Sequence, residues 1–220
     1  MYKACIFDLD GTLTDTLDSL SVSVNGTLKE MGLSQITDEQ VKAFVGHGVR
    51  RLLEQSLEVS GDEKFERIEE AMEIYARIFK DKCTYHVAPY DGIMDMLQEF
   101  QDQGVKMAVL SNKPHLATIE IVEEFFGKDT FQDVQGQKEG VPRKPDPTAL
   151  NLIIEGLQVS KEDCLYIGDS EADMMVGKAA GIDTAGVTWG FRTRELLARH
   201  DATYIVDKAE EIISLVKGDN

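Results

Sequence analysis

Residues 4–15 read Ala4-Cys5-Ile6-Phe7-Asp8-Leu9-Asp10-Gly11-Thr12-Leu13-Thr14-Asp15. The apolar run from Ala4 to Leu9 is short and stops at Gly11, the pattern of a buried strand that ends in a turn. Its carboxylates therefore lie at the strand's carboxyl end. In extended chain residues two apart face the same side, so Asp8 and Asp10 address one ligand.

Beyond this strand the period changes. Leu17, Leu20, Val24, Leu28 and Met31 recur at helical spacing until Gly32. A second helix starts with Thr37 or Asp38 as its cap and carries Val41, Phe44, Leu52, Leu53 and Leu57, interrupted at Gly46-His47-Gly48. A third carries Phe65, Ile68, Met72, Tyr75 and Phe79, which makes residues 16–86 an all-helical block. After Pro89 and Gly92 helices and strands alternate: helices near 92–103, 116–126, 148–157, 172–180, 193–199 and 208–217, and strands at 105–110, 131–134, 164–167, 184–187 and 203–206. Such alternation predicts an α/β fold, a three-layer Rossmann-like parallel sheet with helices on both faces. Residues 1–15 and 87–220 would form this core, with the helical block at 16–86 inserted in it. In sheets of this kind ligands bind beyond the carboxyl ends of the strands.

Composition narrows the partners. Forty acidic against 23 basic residues leave a formal charge of −17, which repels nucleic acid and anionic membrane surfaces. No run of apolar residues is long enough for a membrane span, and Asp8 and Asp10 interrupt the apolar start before it resembles a signal peptide. Cys5, Cys83 and Cys164 are few and scattered, which points to packed thiols in a reducing cytoplasm. The chain is expected to be a cytoplasmic monomer or homodimer that handles a small molecule.

Four polar clusters follow predicted strands: Asp8 to Asp15, Ser111-Asn112-Lys113, Arg143-Lys144-Pro145-Asp146-Pro147, and Gly168-Asp169-Ser170-Glu171-Ala172-Asp173. Asp169 and Asp173, four apart where a strand gives way to a helix, reach one point. Carboxylates gathered this way need a cation, and Mg²⁺ takes a few of them while keeping positions for water and phosphate. Ser111 and the backbone amides near it, Asn112 included, hold phosphate oxygens, and Lys144 supplies a compact positive charge. Ser111-Asn112 also suits a helix N-cap, and Asp15 suits the cap of the first helix better than the metal. Two glycines as close as Gly46 and Gly48 commonly just break a helix, and Trp189 suits packing.

The pattern Asp8-x-Asp10-Gly11-Thr12-Leu13, then Ser111, then Lys144-Pro145, then Gly168-Asp169-x-x-x-Asp173 resembles all four motifs of the haloacid dehalogenase superfamily, in order and over the whole chain. The inserted helices resemble that superfamily's small helical cap. Phe44-Val45-Gly46-His47-Gly48 and Thr188-Trp189-Gly190-Phe191-Arg192 are similar to the phosphoglycolate phosphatase subgroup. The resemblance implies a Mg²⁺-dependent phosphatase for a small phosphorylated metabolite. Asp8 would attack phosphorus, and Asp10 would protonate the leaving oxygen and later activate water. Asp8, the backbone carbonyl of Asp10 and Asp169 would bind the metal, with Asp173 nearby, through water or as support. Ser111 or Thr12, together with Lys144, would hold the phosphoryl oxygens. On the cap side, Gly46, His47 and Gly48 would offer backbone amides, and Arg50 or Arg51 would pair with a substrate carboxylate. The leading substrate is 2-phosphoglycolate, with inorganic pyrophosphate and sugar phosphates as alternatives. A phosphomutase, and more remotely a non-catalytic binding protein on the same scaffold, are the rival functions.

Overall fold

The four residues Ala4, Cys5, Ile6 and Phe7 are wholly excluded from solvent, as expected of a strand with sheet on both edges and helices on both faces. In the computed structural model, which describes residues 1–218, they form β1 (Ala4–Phe7) at the heart of a six-stranded sheet. Its other strands are β4 (Lys106–Pro114), β5 (Asp133–Gln137), β6 (Cys164–Gly168), β7 (Asp183–Val187) and β8 (Tyr204–Val206). The order is β5-β4-β1-β6-β7-β8, and every neighbouring pair is parallel. The α/β alternation read from the sequence is thus realised as one parallel sheet. Side chains of β1 alternate between faces: Cys5 and Phe7 join one apolar cluster with Phe100, Val109 and Ile167, while Ala4 and Ile6 join the other with Leu150, Ile153 and Tyr166.

Helices α5 (Ile93–Asp102), α6 (His115–Phe126), α7 (Thr148–Leu157), α8 (Glu171–Ala180), α9 (Arg194–Arg199) and α10 (Ala209–Lys217) follow the strands. Between β2 (Thr14–Asp15) and β3 (Ala88–Pro89), which pair antiparallel, run α1 (Leu17–Glu30), α2 (Asp38–Phe44), α3 (Val49–Ser60) and α4 (Ile68–Lys82). These four bury a cluster of their own around Val24, Leu28, Val41, Leu53, Leu57 and Tyr75. Thr37 caps α2 in a reciprocal capping box with Gln40. Asp15 accepts the Leu17 amide at 3.1 Å, so its carboxylate does serve the start of α1.

Three local expectations change. The strand expected at 105–110 continues to Pro114, with irregular pairing after Leu110, so Ser111, Asn112 and Lys113 lie in strand and not in a helix cap. Pro114 takes the N-cap position of α6. Phe65 precedes α4 in a left-handed conformation (φ 54°), where a segment held by the Asp62 carboxylate replaces the expected helical turn. Among the described residues no helix is long and apolar enough to cross a membrane.

Candidate active site

β1, β4 and β6 are adjacent and parallel, so their carboxyl ends open on one side of the sheet, at the point where the strand order turns back on itself. Asp8 follows β1, Ser111–Lys113 end β4, and Asp169 follows β6. Gly11 turns the chain away with φ 82°, and any Cβ there would stand 2.5 Å from an Asp169 carboxylate oxygen. Gly190 likewise lies against the Gly11 carbonyl, where a Cβ would come within 2.2 Å. Two loops far apart in the sequence therefore close on Asp169, and the Phe191 amide donates to its Oδ2 at 2.6 Å. Trp189 packs behind them and donates to the Thr12 carbonyl at 3.0 Å.

Lys144 stands at the centre. Its ammonium is 3.0 Å from Asp8 Oδ1 and donates to Asp173 Oδ1 at 2.7 Å and to the Tyr166 hydroxyl at 3.0 Å. The other oxygen of Asp173 accepts from the Ser170 amide and hydroxyl, so that residue caps α8 and orients the lysine at once. Asp8 Oδ1 also accepts the Leu9 amide at 2.7 Å. Asp8, Asp169 and Asp173 each bring a carboxylate oxygen to within 4.8 Å of the others, all three buried. Asp10 lies beside them and accepts a hydrogen bond from Lys113 Nζ at 2.9 Å.

Four enclosed carboxylates thus face two enclosed ammonium groups, Lys113 and Lys144, and two negative charges are left over. The imbalance is visible in the acidities. Burial pushes the Asp8 carboxyl up to about 7, with Lys144 opposing the rise and Asp173 and Asp10 adding to it. Burial, then the Asp173 and Asp8 charges, raise Asp169 well above the usual carboxylate range. Burial alone would lower Lys144, but Asp173 and Asp8 more than offset it and keep the ammonium charged. A hard divalent cation fits this set: the donors are carboxylate oxygens, and its charge equals the excess. Asp173 has both oxygens committed within the protein, so Asp8 and Asp169 are the better placed to touch such a cation.

A cavity of about 50 Å³ lies above the strand ends. The core lines it with Asp8, Asp10, Ser111, Asn112, Lys113 and Asp169, and the helical block with Leu20, Val49, Leu52, Tyr75 and Phe79. Gly46 and Gly48 line it too, both with positive φ. Other expected site residues are placed differently. Asn112 spends both side-chain amide hydrogens on the carbonyls of Gly46 and Lys144 and its side-chain oxygen on the Lys144 amide, so its side chain fastens loops together and has no donor left for phosphate. Thr12 is fully buried outside the cavity wall, its hydroxyl without a partner among the described residues. His47 turns to Glu171 (3.0 Å), and its carbonyl accepts from Arg143 at 2.8 Å, which makes it a latch between block and core. Arg50 lies outside the cavity, paired with Glu69, and Arg51 with Glu54, since their positions on α3 face α4 and solvent.

Sequence reasoning gave no role to Lys113, Arg192, Glu171, Tyr166 or Tyr75. Lys113, Glu171 and Arg192 stood inside quoted motifs, and their neighbours drew the attention. Arg192 donates to the carbonyls of Lys42, Ala43 and Val45 and reaches Glu171 at 3.2 Å. Tyr75 and Phe79 share the helical stripe of a core face, which hides that one edge of that face lines a cavity.

Residues 5–187 match the family of haloacid dehalogenase-like hydrolases. Among curated relatives, a phosphoglycolate phosphatase of Vibrio parahaemolyticus is 30% identical over 97% of this chain and 96% of its own length. One from Pseudomonas savastanoi pv. phaseolicola is 32% identical over 96% of this chain and 78% of its own. A crystal structure of a candidate phosphoglycolate phosphatase from Lactobacillus delbrueckii subsp. bulgaricus superposes with a TM-score of 0.90 at 33% identity, covering 98% of both chains.

Proposed function

The chain belongs to the haloacid dehalogenase-like hydrolase family, and we propose that it hydrolyses the phosphomonoester of a small phosphorylated acid, 2-phosphoglycolate first among them, through an aspartyl-phosphate. It is a phosphatase, similar over nearly its whole length to phosphoglycolate phosphatases. The observation that carries the reading is Lys144, whose buried ammonium joins Asp8 to Asp173 within the acidic cluster. A lysine between a nucleophile and a fixed carboxylate is placed to hold phosphoryl oxygens beside the attacking atom. The small cavity, and the phosphoglycolate for which the curated relatives are named, support a compact leaving group.

In the proposed reaction Asp8 attacks phosphorus, a P–O bond to Asp8 forms, and the ester P–O bond breaks. Asp10 gives its proton to the leaving oxygen. Asp10 then takes a proton from water, whose oxygen attacks phosphorus, breaking the bond to Asp8 and releasing phosphate. Ser111 and Lys144 steady the phosphoryl oxygens throughout. Asp8, the Asp10 carbonyl and Asp169 would hold Mg²⁺, with Asp173 as support, and the ion would supply positive charge where the phosphoryl group gathers negative charge. Residues 16–86 are taken as a unit that opens to admit substrate and closes over it. The three cysteines are buried and free, which supports a reducing cytoplasm as its place.

The test is phosphate release from a panel of small phosphoesters and pyrophosphate, with Mg²⁺ and with excess chelator. Release from 2-phosphoglycolate that disappears with chelator is expected. Undiminished release in chelator overturns the metal, and preference for pyrophosphate or a sugar phosphate overturns the substrate.

A further inference from the structure

A phosphorylated acid has a second anionic end, and the cavity must meet it. No lysine or arginine of the helical block lines the cavity among the described residues, and the core contributes Lys113 and Arg192. Arg192 is committed to three backbone carbonyls and Glu171. Lys113 has capacity left: its side chain is 2% exposed, and of three ammonium hydrogens one goes to Asp10. The ammonium lies 4.9 Å from the ring centroid of Phe79 in α4, so the lysine already spans core and block.

Beside it Tyr75 stacks on Phe79, with ring centroids 5.1 Å apart. Tyr75 is 2% exposed and lines the cavity, yet its hydroxyl finds no hydrogen-bond partner among the described residues. A buried hydroxyl left unpaired is costly and calls for a partner the protein itself does not provide. Burial, then the nearby Asp10 carboxylate, raise its pKa, so it stays a neutral donor close to the carboxylate that Lys113 holds.

We propose that Lys113 and the Tyr75 hydroxyl together receive the carboxylate of the substrate, which takes the place of Asp10 as the lysine's partner. This rests on the phosphatase reading above. A bound acid would satisfy the tyrosine and free Asp10 for the leaving oxygen, whereas an ester without a carboxylate would do neither. Selectivity would then come from one residue of β4 and one of α4, and not from the arginines of α3.

The test compares kcat/KM for 2-phosphoglycolate and ethyl phosphate, with Mg²⁺ present, in the wild type, Tyr75→Phe, Lys113→Met and Lys113→Arg. Losing a hydrogen bond to a charged group makes the expected wild-type preference for the acid roughly tenfold or more. Lys113→Met should bring that ratio to about one, chiefly by raising KM for the acid, and Lys113→Arg should restore part of it. Tyr75→Phe, which changes only the hydroxyl and keeps the packing, should lower the ratio about threefold or more. A wild-type ratio retained in Lys113→Met or in Tyr75→Phe overturns the proposal. A wild-type protein that hydrolyses neither ester overturns the phosphatase reading, and this proposal with it.

Discussion

At the carboxyl ends of the sheet, Asp8, Asp169, Asp173 and Lys144 are all buried and all tied by hydrogen bonds or ion pairs to partners in the core. Across the cavity, α1, α3 and α4 present Leu20, Val49, Leu52 and Phe79, with the Tyr75 hydroxyl as a lone polar group. One wall is charged and anchored, the other apolar and underused. Charge can be buried in the first because a parallel sheet aims strand ends, a capping box and glycine turns at one point. The second closes over it by shape. On the proposed reading, bond making belongs to the core, and choice of leaving group to the seam where Lys113 of β4 meets Tyr75 of α4.

The comparison breaks most sharply at Asp8. Asp8→Asn keeps the shape and removes the proposed nucleophile, so turnover should fall by about 10⁴-fold or more while the melting temperature holds or rises. Steady-state phosphate release together with calorimetry checks both halves, and a variant that keeps a substantial share of turnover removes Asp8 from its role. Lys144→Met leaves Asp8 and Asp173 buried without their counter-charge. It should cost about 3–5 kcal/mol of stability, read from denaturant midpoints, and a change below about 1 kcal/mol would mean the lysine is no keystone.

The excess negative charge gives the third test. Mg²⁺ at about a hundred times its dissociation constant should stabilise the wild type by about 2.7 kcal/mol, and Asp169→Asn should lose most of that gain. An equal gain in both would move the cation elsewhere.

The smallest effect concerns the seam between the walls. The hydrogen bond from His47 is the main cause holding the Glu171 carboxyl down to about 2, with the α8 amide and Arg192 helping against burial. A depressed carboxylate contributes stability above its unfolded value of about 4.3 and loses it as pH falls towards the folded value. The stability difference between wild type and Glu171→Gln should therefore be constant above pH ~5 and shrink between pH ~4 and 2. A difference independent of pH over that window would show that the latch carries no charge.

Much of this molecule is written in local pattern. The apolar runs ending in Gly11 and Gly168, the helical stripes of 17–31 and 68–79, and the alternation after Pro89 depend on neighbours a few residues away, and periodicity records such neighbours directly. The carboxylates at strand ends followed from the same reading, because a parallel sheet leaves one edge for ligands whatever its residues. Partners were another matter. Arg50 was expected at the substrate and is paired with Glu69; Lys113, 103 residues from Asp10, holds the carboxylate proposed as the acid and base. Which way α3 turns its arginines, and whether β4 runs four residues further to carry Lys113 into the cavity, depend on how whole elements pack. Side-chain direction is set by the rotation of an element against its neighbours, a quantity with no counterpart along the chain, so the four carboxylates and Lys144 came from sequence, and Lys113 and the pairings from tertiary structure alone.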